Sequence, residues 1–316
     1  MEMIFHENRL CQTGTSTALY DYAYYCREYL NITPIIVSSK KEEHISLEKF
    51  NKEFEVILYE NLIEVQNLID NRNINNFYAI KFGLLDDLIF KNCKNLIHAV
   101  FFCHHGQYHG QVYAFVSEYM SLFKDNKIPF VPHMINLPDI DEDLRQKLSI
   151  PRDAFVIGRY GGYDTFNIDF VKEVVIEQSN KIYFLFANTE KFYDHPNIIH
   201  LPSMIGLEEK VKFINTCDAM LHARDYGETF GLSVLEFACK NKQIITYDNE
   251  ELQNNHMLGG RNHFLFLRNN CHKYKNKEEL KNIIINLNKT NPFNTLYLNE
   301  EFSPKNVISK FEKVFL

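Results

Sequence analysis

The chain has 316 residues, of which 45% are hydrophobic and 24% charged, a globular profile long enough for two domains of about 150 residues each. A formal net charge of −7 excludes the broad basic field with which a nucleic-acid binder neutralises phosphates, while leaving room for a local basic pocket. Seven cysteines, at 11, 26, 93, 103, 217, 239 and 271, are odd in number and form no CxxC pair, which argues against a disulfide framework or zinc site and for buried thiols in a reducing cytosol.

The opening residues MEMIFHE are acidic where a signal peptide is basic, and no apolar run approaches the ~20 residues that span a bilayer. The expectation is a soluble, cytoplasmic protein that is still free to touch a membrane surface. Short β-type runs then alternate with helical spacing, the rhythm of parallel α/β units. A first strand is read at Met3–His6. The loop Asn8–Ser16 leads to a helix whose Leu19, Tyr22, Ala23, Cys26 and Leu30 share a face, and Pro34–Ser38 returns as a strand. Further strands are read at Val56–Tyr59, Phe77–Ile80, His98–Phe102 and Ile128–Val131.

The polar, proline-bearing segment before Ala154 marks a domain boundary. This places a first domain at residues 1–138, a linker at 139–152, a second domain at 153–300 and a closing helix at 301–316. Strands of the second domain are read at Phe155–Gly158, Ile182–Phe186, Ala219–His222, Ile244–Tyr247 and Phe264–Leu267, with a helix over about Gly231–Lys240.

The stretch Met220–Tyr247, MLHARDYGETFGLSVLEFACKNKQIITY, carries the most chemistry. A strand ends, a glycine-containing loop turns, and a helix begins near Gly231, at the carboxyl end of a sheet where α/β proteins bind ligands. Backbone N–H groups of Phe230, Gly231 and Leu232 would face an anion there, with the helix dipole in support. Glu228 lies at the loop edge and Glu236 two turns on, about 12 Å away at ~1.5 Å per residue, roughly the span from hexose to ribose in a nucleotide sugar. Leu232, Val234, Leu235, Phe237 and Ala238 make the helix apolar on nearly every side, so the Glu236 carboxylate is expected to have a hydroxyl partner. The plainer alternative for each residue alone is structural, with Glu236 satisfying backbone or an Arg and Glu228 stabilising the helix start.

Glu228-Thr-Phe-Gly-Leu-Ser-Val-Leu-Glu236 resembles the E-x7-E signature of glycosyltransferase family 4, set in a GExFG context before a buried helix. The resemblance continues through Ile150-Pro-Arg-Asp-Ala-Phe-Val-Ile-Gly-Arg-Tyr-Gly-Gly162, Val131-Pro-His-Met-Ile135, His256-Met-Leu-Gly-Gly260 and the closing helix Ser303–Leu316. It covers nearly all of the second half and is weaker in the first. It implies a GT-B fold of the α/β class: two Rossmann-like, doubly wound domains facing a central cleft. It also implies retaining transfer of a hexose-type sugar from a UDP- or GDP-sugar to a glycan, lipid-linked or protein-linked acceptor, with no cofactor, no metal and no nucleic-acid partner.

By the same resemblance, Arg159 with Gly161 would meet the diphosphate, Glu228 the sugar and Glu236 the ribose, while Gly14 and Thr15 would bring backbone N–H groups towards the phosphates. His109, in Cys103-His-His-Gly-Gln-Tyr-His109, would lie near the transferred sugar. The lysine that usually follows Arg159 is missing from Tyr163-Asp-Thr-Phe-Asn-Ile-Asp169, and Arg224 is the candidate substitute. Asp139-Ile-Asp141 matches the letters of a metal-binding D-x-D, but in a linker before a helix it reads as solvated capping. Two other readings stay open: another sugar-nucleotide enzyme of this fold, such as an epimerase or phosphorylase, and a non-catalytic sugar-binding relative.

Overall fold

The computed structural model describes residues 1–123, 128–204 and 206–316. The chain divides into two compact units, Met1–Met134 with Phe302–Leu316, and Ile135–Glu301.

Unit 1 holds a six-stranded parallel sheet of β1 (Glu2–His6), β2 (Thr33–Ser39), β3 (Glu55–Tyr59), β4 (Asn76–Lys81), β5 (Lys94–Ala99) and β6 (Val112–Phe115), in the order β3-β2-β1-β4-β5-β6. Its inner strands are runs such as Met3-Ile4-Phe5 and Ile35-Ile36-Val37, all without exposed surface, as a sheet covered on both faces requires. The connecting helices are α1 (Gly14–Leu30), α2 (Leu47–Asn51), α3 (Leu62–Arg72) and α4 (Glu118–Leu122). Asn31 in the left-handed region ends α1, and the Asn61 side chain caps α3 by accepting from Ile63 N and Glu64 N.

Unit 2 repeats the plan with β7 (Val156–Tyr160), β8 (Tyr183–Ala187), β9 (Ile198–Leu201), β10 (Ala219–His222), β12 (Gln243–Tyr247) and β14 (His272–Tyr274), ordered β14-β12-β10-β7-β8-β9. The two-residue strands β11 (Gly227–Glu228) and β13 (Gly260–Arg261) pair beside it. Its helices are α5 (Asp169–Gln178), α6 (Leu207–Thr216), α7 (Leu232–Cys239), α8 (Glu250–Asn255), α9 (Asn262–Phe266), α10 (Lys277–Asn286) and α11 (Leu298–Glu301). The last helix, α12 (Pro304–Phe315), belongs to unit 1. Ser303 caps it with Pro304 in its first turn, and its Phe311 and Phe315 rings lie 5.1 and 5.3 Å from that of Tyr78.

Several strands differ from the sequence reading. The run at His98–Phe102 forms β5 from Lys94 instead, and past Ala99 only the hydrogen bonds from Val100 N to Lys81 O and Phe101 N to Phe82 O continue it. Ile128–Val131 contributes a single bridge, Phe115 with Phe130, because Pro129 and Pro132 have no N–H to extend a ladder. Of Phe264–Leu267, the first three residues are helical within α9 and Leu267 is its C-cap; a four-residue apolar run does not by its pattern distinguish strand from helix.

The segment 139–152 is held by unit 2. Arg145 donates to Asp218 Oδ2 at 3.0 Å and to the carbonyls of Pro151 and Ala154, while Leu144 N donates to Thr216 Oγ1 at 2.8 Å. Asp139 and Asp141 are exposed there, followed by turns and not a helix. Among the described residues no helix is long and apolar enough to cross a membrane.

Candidate functional site

In unit 2 the strand order reverses between β7 and β10. An open parallel sheet binds ligands outside the carboxyl ends of its strands at such a switch point. The last residue of β7 is Tyr160 and the last of β10 is His222, and each is hydrogen-bonded to one of the two carboxylates of the E-x7-E segment.

Glu228 ends β11. Its Oε1 lies 3.1 Å from His222 Nε2, and its Oε2 accepts from Arg224 Nη1 at 2.9 Å. His222 is oriented in turn by Thr246 Oγ1, 2.8 Å from Nδ1. Burial pushes the Glu228 carboxyl up, but the Arg224 guanidinium and the His222 bond outweigh it and hold the group at about 2. Glu228 is therefore a fixed anion with a directed environment. Gly227 beside it has φ +66°, and a Cβ there would stand 2.3 Å from Gly260 O, so only glycine lets β11 and β13 approach this closely.

Gly231, at φ +96°, is the N-cap of α7 and gives it no side-chain cap. The helix therefore begins at Leu232, with Leu235 N donating back to Gly231 O at 3.0 Å. Phe230 is buried, and its carbonyl accepts from Asn262 Nδ2 at 3.1 Å. Next to this turn His263 is wholly buried, 5.0 Å from the His222 ring, and neither of its ring nitrogens has a hydrogen-bond partner among the described residues. Burial, reinforced by His222, pushes it well below the usual histidine range and keeps it neutral.

One turn into α7, Glu236 is buried with both oxygens engaged. The Tyr160 hydroxyl donates to Oε2, and Lys210 Nζ on α6 donates to Oε1 at 2.6 Å. The hydroxyl partner expected of Glu236 is that of Tyr160, and Lys210 adds a cation that the sequence reading did not anticipate. Lys210, Tyr160, His222 and His263 were not singled out from the sequence, although Tyr160 sits inside the Gly158-Arg-Tyr-Gly-Gly162 run. Lys210 stands in Leu207-Glu-Glu-Lys-Val-Lys212, where nothing sets it apart from other surface charges.

Arg159 points to the opposite face of β7 from Tyr160. Its guanidinium donates to Asn188 O at 3.3 Å, Gly162 O at 2.8 Å, Thr165 Oγ1 at 2.5 Å and Thr189 Oγ1, and it is only 4% exposed. Burial lowers it to about 10. Gly161 lies against this fork, with a Cβ position 3.0 Å from Arg159 Nη2. Four of the five guanidinium N–H donors of Arg159 are thus engaged by protein acceptors, and the Nε–H has no partner among the described residues. Arg224, placed on Glu228, is the cation nearer to the α7 start along the chain.

Unit 1 has its own reversal, between β1 and β4. Gly14 is the first residue of α1, exposed, and Thr15 Oγ1 lies 3.2 Å from Thr13 Oγ1. His109 is tied through Nδ1 to Gln107 O at 2.7 Å, while its buried Nε2 has no partner among the described residues; burial lowers its pKa. His104 and His105 are exposed. Two residues at this edge escaped the sequence reading. Burial raises Glu7 to about 7, and His6 is held by Tyr59 OH at 3.0 Å and lowered by burial to about 3. Among the described residues no group of three or more His, Cys, Asp or Glu is arranged to hold a metal ion.

No protein-family model matches the chain, and no curated protein matches it in sequence. Solved structures do match in fold. A glycosyltransferase from Rickettsia africae superposes with TM-score 0.70 at 14% identity, over 99% of this chain and 97% of that one. The Anabaena protein HepE, solved in complex with UDP-glucose, superposes with TM-score 0.72 at 11% identity, over 99% and 98%. WaaG, a glycosyltransferase involved in lipopolysaccharide biosynthesis, superposes with TM-score 0.63 at 10% identity, over 100% and 96%. The likeness is one of fold: α/β, GT-B, with two Rossmann-like doubly wound domains.

Proposed function

We propose that the chain is a retaining GT-B glycosyltransferase of the family-4 type. It would move a hexose-type sugar from a UDP- or GDP-sugar to a hydroxyl of a glycan, lipid-linked or protein-linked acceptor, without a cofactor or required metal, in a reducing cytosol. The observation that carries this reading is the pinning of Glu228 and Glu236 to the end residues of β7 and β10. A charged carboxylate and a buried, hydrogen-bonded one stand where a parallel sheet receives its ligand.

The demanding step is departure of the nucleotide diphosphate as the anomeric carbon gains oxocarbenium character. The uncapped start of α7 and the Arg224 guanidinium would meet the growing negative charge, and preorganised donors of this kind lower the barrier. Glu228 would hold the sugar and Glu236 the ribose. The acceptor hydroxyl attacks the face that the diphosphate leaves, and the departing phosphate oxygen takes its proton. In unit 1, Gly14 and Thr15 would bring backbone N–H groups towards the phosphates, and His109, on the acceptor side, would lie near the transferred sugar. Agreement in fold with HepE, which was solved with UDP-glucose, supports a uridine donor first.

Calorimetric titration of UDP, GDP and their glucose conjugates in the presence of EDTA tests the reading. Binding of one nucleotide diphosphate, weakened in Glu236→Ala and Glu228→Ala, is expected. Silence of the wild-type protein towards all of them overturns it and leaves a non-catalytic relative.

A further inference from the structure

The resemblance that reads a donor site into unit 2 also exposes a deficit: the loop after β7, Tyr163–Asp169, has no cation, and Arg159 is spent on four protein acceptors. We propose that Lys210 of α6 is a nucleotide-phosphate ligand, held on Glu236 in the free protein and transferred to the donor's phosphate when the ribose takes its place on the carboxylate. The inference rests on the donor-site reading and adds to it a residue and an exchange.

Three observations carry it. Glu236 accepts on both oxygens, from Lys210 Nζ at 2.6 Å and from the Tyr160 hydroxyl; each oxygen keeps a second lone pair, but the side chain is only 6% exposed, so a ribose hydroxyl gains access by moving a partner aside. Of the two, Tyr160 is the more enclosed: it is 8% exposed, and its ring packs 5.7 Å from Phe213 and 5.4 Å from Phe237. Lys210 retains a 19% exposed side chain, and Glu236 is its only hydrogen-bond acceptor among the described residues. A lysine head is a compact charge on a flexible stem with three donors, so it can leave Glu236 and find another anion.

That anion is close by. Glu236 lies four residues from Leu232, the first residue of α7, which is about 6 Å along the axis at ~1.5 Å per residue. Helical side chains lean towards the N-terminus, so the Glu236 carboxylate and the ammonium on it are directed towards the uncapped start of α7. The side chains of the pair are 19% and 6% exposed, and a pair this buried is weak evidence for a stabilising role, which leaves ligand exchange as its proposed use.

The test compares UDP with uridine by competition titration, or GDP with guanosine if guanine is the base that binds. In wild type the diphosphate contributes a large affinity ratio. In Lys210→Met that ratio falls about tenfold or more, as loss of a charge-assisted hydrogen bond predicts, and Lys210→Arg restores much of it. The same comparison in a Glu236→Gln background separates phosphate contact from disturbance of Glu236: adding Lys210→Met must still lower UDP binding while leaving uridine unchanged. An unchanged ratio, or equal weakening of UDP and uridine in both backgrounds, overturns the inference while the donor site stands. No nucleotide binding by wild type overturns both.

Discussion

The hydroxyl of Tyr160, the last residue of β7, donates to Oε2 of Glu236, seventy-six positions further along the chain. Burial and the facing carboxylate push this phenol well above its usual range, so it remains a donor at every working pH. The bond fixes the direction from which Glu236 can be approached. Tyr160→Phe keeps the packing against Phe213 and Phe237 and deletes only the donor. Leaving one buried acceptor unpaired is expected to cost about 1–3 kcal/mol in urea unfolding. Nucleotide affinity should fall with it, and no change in either quantity would show that the bond is dispensable.

Glu228 makes acid sensitivity local. Its folded-state value, about 2, lies below the ordinary carboxylate value of 4.5. Its contribution to stability is therefore fully present above the ordinary value and is lost as pH falls through about 2. Glu228→Gln should be less stable than wild type at pH 6, and the difference should shrink as unfolding is measured at progressively lower pH between 5 and 2. Both proteins lose stability in acid for an additional reason: buried His6, lowered to about 3, resists the proton that the unfolded chain accepts near 6.5. A difference that stays constant across this range would mean that the Arg224 and His222 contacts do not hold the charge.

Arg145 closes the segment before β7 onto unit 2. Its guanidinium reaches Asp218 Oδ2 at 3.0 Å, and the same oxygen accepts from Val156 N at 2.8 Å at the first residue of β7. Arg145→Met would strip a largely buried carboxylate of its cation and free the carbonyls of Pro151, Arg152 and Ala154, which is expected to cost about 3 kcal/mol. Arg145→Met/Asp218→Asn should recover part of that loss. Denaturant midpoints of the three proteins decide this, and a double variant no better than the single one would refute the pairing.

The parallel architecture was legible because buried strands such as Ile4-Phe5 and Ile244-Ile245 are plain apolar runs, and because the helix of Glu236 is apolar on almost all sides. Three of the four edge strands were not: β6, β9 and β14 have only three or four residues, too few for a periodicity to emerge, whereas the five-residue edge strand β3 was read at Val56–Tyr59. Phe264–Leu267 failed for the related reason that a short apolar run fits either a strand or a buried helix. The two carboxylates could be found from spacing, but their partners could not. Lys210 is a surface-type charge in a helix with two glutamates beside it, and only the packing of α6 against β7 places it on Glu236. Arg159 shows the converse: the resemblance singled it out as a cation after the first strand read in the second domain, while Thr165 and Thr189, which accept from it, lie on separate loops.

The turn before Glu228 offers the most stringent check on the site's backbone. Gly227 has φ +66°, and its missing Cβ is the reason that β11 can lie against β13, with Gly260 O 2.3 Å from where that atom would be. Gln253 side-chain atoms stand 3.1 and 3.2 Å from the same point, so the turn has no room to yield on that side either. Gly227→Ala adds a strained left-handed residue, worth about 1–3 kcal/mol, to a clash with backbone. The expected result is lower stability together with a displaced Glu228, read as loss of nucleotide-sugar binding even at temperatures where circular dichroism shows the chain still folded. Gly162→Ala, at a position without left-handed backbone whose Cβ would meet mainly the Thr165 side chain, serves as the comparison and should retain most binding. Equal behaviour of the two variants would mean that the β11–β13 contact does not set the position of Glu228.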